Sequence, residues 1–199
     1  MNNSKKDMRF DKHAAKYDDG YAGKGSRRFY RLLLNQAKIF DGARVLDVGC
    51  GTGTILHRMS QTCAIEGFGI DIEENMIAEA QHKCPQMTFG VTRCDNTLFD
   101  SESFDVMTAC MAYHHFDNKD GFVKEAARLL KPGGMLYICD PRFPWLIRKA
   151  INGAARLFRV HGEFNTSDEV AARFAAHGFT FAGTAHDGYA QVVVLERTV

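Results

Sequence analysis

The sequence predicts a doubly wound α/β fold around a mostly parallel sheet, and three observations carry the prediction. From residue 43 onward, short apolar runs alternate with stretches of helical periodicity. Those runs are apolar on both faces, which suits strands buried between two layers of helices. The stretch VLDVGCGTG, residues 45–53, also sets Gly49, Gly51 and Gly53 directly after one such run, more glycines than a plain turn needs.

The elements follow in order. ARVLDV (43–48) reads as the first strand and TILHRMSQ (54–61) as its helix. AIEGFGI (64–70) and EENMIAEAQHK (73–83) repeat the pair, and MTFGV (87–91) and FDVMTAC (104–110) are the third and fourth strands. NKDGFVKEAARLL (118–130) carries Phe122, Ala126, Leu129 and Leu130 at helical spacing and ends at KPGG, which supplies a helix stop and a turn into a fifth strand, GMLYICD (134–140). Right-handed crossovers between such strands give the doubly wound arrangement. Thr166 followed by Glu169 is a capping-box pattern that starts a helix over 167–177. FTFAGTA (179–185) and AQVVVLER (190–197), joined through HDGY, read as an antiparallel hairpin. The first 42 residues read as two helices, 8–18 and 26–40, broken by DDGYAGKG.

At 199 residues, 45% hydrophobic and 25% charged, the composition is that of an ordinary globular domain with a sizeable core. No run is long and apolar enough to cross a bilayer, and MNNSKKDMRFDKH lacks the apolar core of a secretory signal, so a cytoplasmic location is expected. The six cysteines show no CxxC spacing and read as free thiols, with no metal centre expected. The net charge of +1 hides a partition: residues 1–44 carry 11 Lys/Arg against 5 Asp/Glu, whereas residues 45–140 carry 7 against 14. An acidic middle suits a cationic ligand, although solvated surface charge gives the same count. Nothing is basic enough for a nucleic-acid footprint.

A strand, a glycine turn and a helix place a ligand where unpaired N–H groups point outward. A nicotinamide fingerprint would want GxGxxG, but the residue at that last position is Thr54 and the spacing is GxGxG. This opposes a NAD(P)-dependent oxidoreductase, which stays as one alternative. Asp71 ends the second strand, 22 residues beyond Gly49, near the separation at which an acid meets ribose hydroxyls. The two signals together indicate a nucleoside-bearing cofactor.

VLDVGCGTG, the acid of GIDI, the aspartate of RCDNTLFDSESFDVM, the loop AYHHF and EAARLLKPGGMLYICD resemble, in order over residues 45–140, the motif series of the class I S-adenosylmethionine-dependent methyltransferases. FDKHAAKYDD is similar to the lid helix of the small-molecule branch, which includes the ubiquinone and menaquinone methyltransferases. The resemblance implies a Rossmann-like seven-stranded sheet with an antiparallel last strand and helices on both faces. It also implies an N-terminal helical lid over 1–42 and a cofactor-binding methyltransferase domain over 43–199. Gly49, Cys50, Gly51 and Gly53 would surround the methionine part of S-adenosylmethionine, and Asp47 its ammonium. Asp71 would take the ribose hydroxyls, with Ile72 and Met76 against the adenine. Asp95 would accept from the adenine amino group, Asn96 would offer a backbone N–H, and Cys110 and Met111 would line the sulfonium side.

Methyl transfer needs alignment above all, worth roughly 7–11 kcal/mol, and a base only for a weakly acidic acceptor. His114 and His115 follow the fourth strand, and either imidazole is a candidate base; shaping the pocket wall is the plainer role. Tyr17, with Phe10 and Ala14 on one face of the first helix, is a candidate aromatic lid over the sulfonium, or simply core packing. Along 144–160, Arg148, Lys149, Asn152, Arg156 and Arg159 share one arc, opposite Ile147, Ala150, Ile151, Ala154, Leu157 and Phe158. Such a helix either packs apolar side down or meets an apolar acceptor or, peripherally, a membrane. CMAYHHF stands where an adenine-modifying enzyme would carry (D/N)PPY, so a small, partly apolar acceptor is expected and a nucleic acid is not. A non-catalytic binder of the same cofactor is the second alternative.

Overall fold

The computed structural model describes residues 21–158 and 162–198, with side chains from 25 onward. The strands are β1 (Arg44–Val48), β2 (Glu66–Asp71), β3 (Thr88–Val91), β4 (Phe104–Cys110), β5 (Leu130–Pro141), β6 (Phe179–Asp187) and β7 (Ala190–Arg197). They form one sheet in the order β3-β2-β1-β4-β5-β7-β6. β7 is antiparallel to both of its neighbours, and the other pairings are parallel. The helices are α1 (Tyr21–Gln36), α2 (Thr54–Ser60), α3 (Glu74–Lys83), α4 (Lys119–Leu129), α5 (Trp145–Leu157) and α6 (Ser167–Ala175), with one 3₁₀ turn at Tyr113–His115. Among them none is long and apolar enough to cross a membrane.

Two apolar clusters sandwich the sheet. One joins Phe122, Leu129 and Phe174 of α4 and α6 to Leu46, Met107 and Ile138. The other joins Phe29, Leu33, Leu56 and Ile77 of α1, α2 and α3 to Val45, Val106 and Val192. The expected capping box on α6 is present in full, with the Thr166 hydroxyl accepting from the Glu169 N–H and the Glu169 carboxylate accepting from the Thr166 N–H.

The structure departs from expectation in three places. As described, α1 spans Tyr21–Gln36, so part of the stretch read as a break is helical, and the helix stops at Gln36. Its two early glycines cost about 1 kcal/mol each, which burial of Phe29, Leu32 and Leu33 outweighs. Its end is set by the Lys38 N–H, which leaves the helix to donate to the Tyr137 hydroxyl at 3.0 Å. KPGG forms no separate turn. β5 starts at Leu130 against Phe104 and bulges before pairing resumes at Met135 with Val106, Gly133 taking φ +80°. Finally, α5 does not pack apolar side down: none of its residues is buried, and its half-buried positions are Arg148, Ile151, Asn152 and Ala155. Residues 8–18, with Phe10, Ala14 and Tyr17, and also Arg159, lie outside the described residues.

Candidate functional site

The parallel strands end at a common edge, and the order reverses between β1 and β4. Loops leaving those two strands diverge and open a crevice between them. The cleft there holds about 1130 Å³ of empty space, open to solvent at its mouth. The glycine turn after β1 forms one wall. A Cβ on Gly49, at φ +71°, would lie 2.5 Å from the Ala112 Cβ, so close packing of the turn against the loop after β4 excludes any side chain there. A Cβ on Gly51, at φ +51°, would meet only the Met76 sulfur at 4.0 Å, so this backbone faces the open cleft.

Two carboxylates form the floor. Asp71 accepts from the Gly51 N–H at 2.9 Å through one oxygen and from the Glu73 N–H at 3.1 Å through the other. The turn and the start of α3 are thus pinned to the end of β2, and each oxygen keeps a lone pair for a hydroxyl. Burial raises the Asp71 pKa, and its backbone donors oppose the rise. Parallel register sets Asp47 opposite Thr108, whose hydroxyl donates to it at 2.6 Å. Burial pushes Asp47 up to about 7; Thr108 opposes this and the charge of Asp71 adds to it. No cation offsets either acid among the described residues. A buried carboxylate without a counter-charge favours any ligand that brings one.

Cys50, Ile72, Met76, Cys110 and Met111 line the cleft with Asp47, Gly49, Gly51 and Asp71. Met111 holds φ +56°, left-handed for a residue with a side chain, with its N–H bonded to the Cys139 carbonyl at 2.8 Å. Burial raises the Cys50 and Cys110 thiols well above their usual range, so the cysteines of the wall are protonated and unreactive at neutral pH.

The structure does not bring Gly53, Asp95, Asn96 or His114 to the wall. A Cβ on Gly53 would press on Ala80 and Phe89. The Asp95 carboxylate is held by Arg93 at 3.0 and 3.3 Å and by the Asn118 amide at 2.7 Å, and Arg93, foremost, keeps its pKa below the usual carboxylate range. Arg93 itself takes the place on the wall. His114 is buried: its Nδ1 lies 2.8 Å from one Asp140 oxygen and its backbone N–H donates to the other at 2.8 Å. Its ring stacks on Phe164. His115, exposed on the same 3₁₀ turn, faces the cleft beside Phe116 and Asp117. Phe116, of the AYHHF loop expected to shape the wall, lines the cleft, and Tyr30, Thr52, Glu73, Thr92 and Arg93 line it without having been expected. All but Tyr30 follow a strand's carboxyl end, so applying the edge rule to every strand would have found them. Tyr30 arrives from α1 by tertiary packing, and no local signal marks it.

This sheet order, with an acidic cleft at the switch point, defines a methyltransferase-type α/β protein, and comparison with known proteins agrees. The family described as "Methyltransferase domain" matches residues 45–134. The demethylmenaquinone methyltransferase of Chlorobaculum tepidum is 28% identical over 179 residues, covering 86% of this chain and 72% of that one. That of Tropheryma whipplei (strain Twist) is 37% identical over 117 residues, covering 57% of this chain and 48% of the relative. The chain thus spans from about half to under three quarters of the length of these relatives. Among solved structures, the methyltransferase in complex with the Trm112 activator of Haloferax volcanii superposes with a TM-score of 0.82 at 20% identity, covering 96% of this chain and 98% of that one. The YcgJ protein of Bacillus subtilis follows at 0.74 and 19%, covering 86% and 99%. Over residues 45–134 the chain carries a methyltransferase domain, and the relatives it resembles here are demethylmenaquinone methyltransferases.

Proposed function

We propose that this protein transfers a methyl group from S-adenosylmethionine to a small, partly apolar acceptor. The observation that carries the reading is Asp47: a buried carboxylate with no cation among the described residues, beside a glycine turn whose N–H is bound by a second acid. Those residues fit an α-ammonium and a vicinal diol on one molecule. Bound there, the cofactor supplies an electrophilic methyl on a positively charged sulfur, a good leaving group. Asp47 holds the ammonium and Asp71 the ribose hydroxyls, while Ile72 and Met76 form apolar walls for the adenine. Gly51 lets the ligand approach the backbone, and Cys50, Cys110 and Met111 enclose the methionine side. Asp95 acts on the cleft through Arg93, which it orients.

His115, on the wall at the turn after β4, is placed to take a proton from an acceptor O–H, N–H or C–H, a contribution of roughly 10²–10⁴-fold. Asp140 and His114 position it: the Asp140 carboxylate fixes His114, whose ring lies 4.0 Å from that of His115. Phe116 supports an apolar acceptor, and relatives named demethylmenaquinone methyltransferases point to a quinone-type ring. The test is to incubate the protein with methyl-labelled S-adenosylmethionine and either a demethylated naphthoquinol or a fractionated cell extract. Label in the organic phase, dependent on Asp47, supports the reading. Tight cofactor binding without label in any fraction makes the chain a binder instead.

A further inference from the structure

α5 is hung on the protein upside down. Its inward side is anchored by polar groups beside Ile151 and Ala155: Arg148 donates to both Glu169 oxygens, at 2.9 and 2.7 Å. Asn152 exchanges two hydrogen bonds with the Phe164 backbone, at 3.0 and 3.1 Å. Its apolar side faces away from the sheet, with Leu146 70%, Leu157 77%, Phe158 73% and Trp145 59% exposed. On the helical wheel Leu146 and Leu157 lie within about 20° of each other, Trp145, Lys149 and Arg156 fall together to one side, and Ile147 and Phe158 to the other. The Lys149 ammonium sits 4.4 Å from the Trp145 ring centre. Of the four basic residues from 141 to 158, Arg148 is paired with Glu169 and Arg156 lies 3.4 Å from Glu163, so that with Arg142 and Lys149 an excess of two positive charges remains.

We propose that the outward face of α5 docks on an anionic lipid bilayer. An apolar stripe bordered on one side by Lys149 and Arg156, with Trp145 at their level, is the pattern of a helix lying in the interface. Charge selects the occupant: the excess of positive charge beside the stripe, with Lys149 on its border, suits a phosphate-rich surface, which rewards each lysine or arginine that reaches it. The stripe also measures only about 20 Å by 10 Å, well short of the ~800 Å² per partner of a stable dimer. The inward residues Asn152 and Ala155, with Arg156, wall an open hollow with about 680 Å³ of empty space that shares Phe116 and Asp117 with the main cleft. Docking therefore brings that hollow to the level of the headgroups. The inference stands apart from methyl transfer, because it rests on α5 alone.

Trp145 is the only tryptophan and reports directly. The protein is titrated with phosphatidylcholine vesicles containing or lacking about one third phosphatidylserine, and binding is read by flotation and by Trp145 emission. The expected result is association with the anionic vesicles and a blue shift. Leu146→Ser with Leu157→Ser weakens binding at least about tenfold, and Lys149→Glu weakens it about fivefold or more. Both variants keep the wild-type melting temperature, because these side chains are exposed. Absence of association, or affinity unchanged in the variants, overturns the proposal. So does Trp145 emission already blue-shifted without vesicles, which would mean that another segment or a second copy, distinguished by mass from light scattering, covers this face.

Discussion

β1 and β4 lie side by side, and their two ends treat a carboxylate in opposite ways. At the amino edge Asp105 is half-buried; burial alone would raise its pKa, yet Lys131 at 2.6 Å and the Arg44 N–H at 2.9 Å hold it below the usual range. At the carboxyl edge, within the same strand pair, Asp47 is more deeply buried, has among the described residues the neutral Thr108 hydroxyl and no cation, and rises to about 7. One end is complete in itself. The other carries an electrostatic cost that folding does not relieve, and a scaffold retains such a group where a ligand brings the missing charge.

The largest test of the contrast is affinity. Asp47→Asn, nearly isosteric and still able to accept from Thr108, should weaken binding of S-adenosylhomocysteine by about 10³-fold, the scale of breaking a buried charge pair. Asp105→Asn should leave it unchanged. Isothermal calorimetry reads both. Turnover comes next: His115→Ala should lower kcat by about 10²-fold or more while leaving cofactor affinity in place. Asp140→Asn should lower kcat less and displace its pH profile, which a purely structural role would not do.

Stability should move in opposite directions at the two ends. Folded Asp47 keeps its proton up to about 7, whereas the unfolded chain releases it near 3.8. The folded state therefore binds more protons between those values, and this group's contribution, whole below the lower one, is lost as pH rises through the higher. Asp47→Asn should consequently stabilise the cofactor-free protein by roughly 1–4 kcal/mol at about pH 8 and progressively less toward pH 5. Asp105→Asn should destabilise by about 1 kcal/mol at neutral pH. Urea unfolding across that range separates them. The smallest effect is at Met111, whose left-handed backbone costs of order 1 kcal/mol. Met111→Gly should leave stability level or slightly raised, and Met111→Val should lower it, by thermal melts.

The sequence made the sheet and the floor of the cleft legible because both rest on local chemistry. Doubly apolar runs, a glycine turn, an acid at a strand's end and a capping box are each written in adjacent residues. Whatever two distant segments decide together was hidden. The faces of α5 could be read from its periodicity, but which face turns inward depends on Glu169 and Phe164, reached only through the fold. The two histidines looked equivalent until Asp140, at the end of a different strand, claimed one of them. Asp95 resembled a ligand-binding acid, but Arg93, two residues away, occupies it and reaches the wall in its place.

Calorimetry of S-adenosylhomocysteine binding as a function of pH tests the central claim most directly. Asp47 must give up its proton to meet an ammonium, so affinity should fall about tenfold per pH unit below 7, with proton release seen in buffers of different ionisation heat, and Asp47→Asn should flatten the slope. No heat of binding from the folded protein, or an affinity indifferent to pH between 6 and 8, would contradict the account.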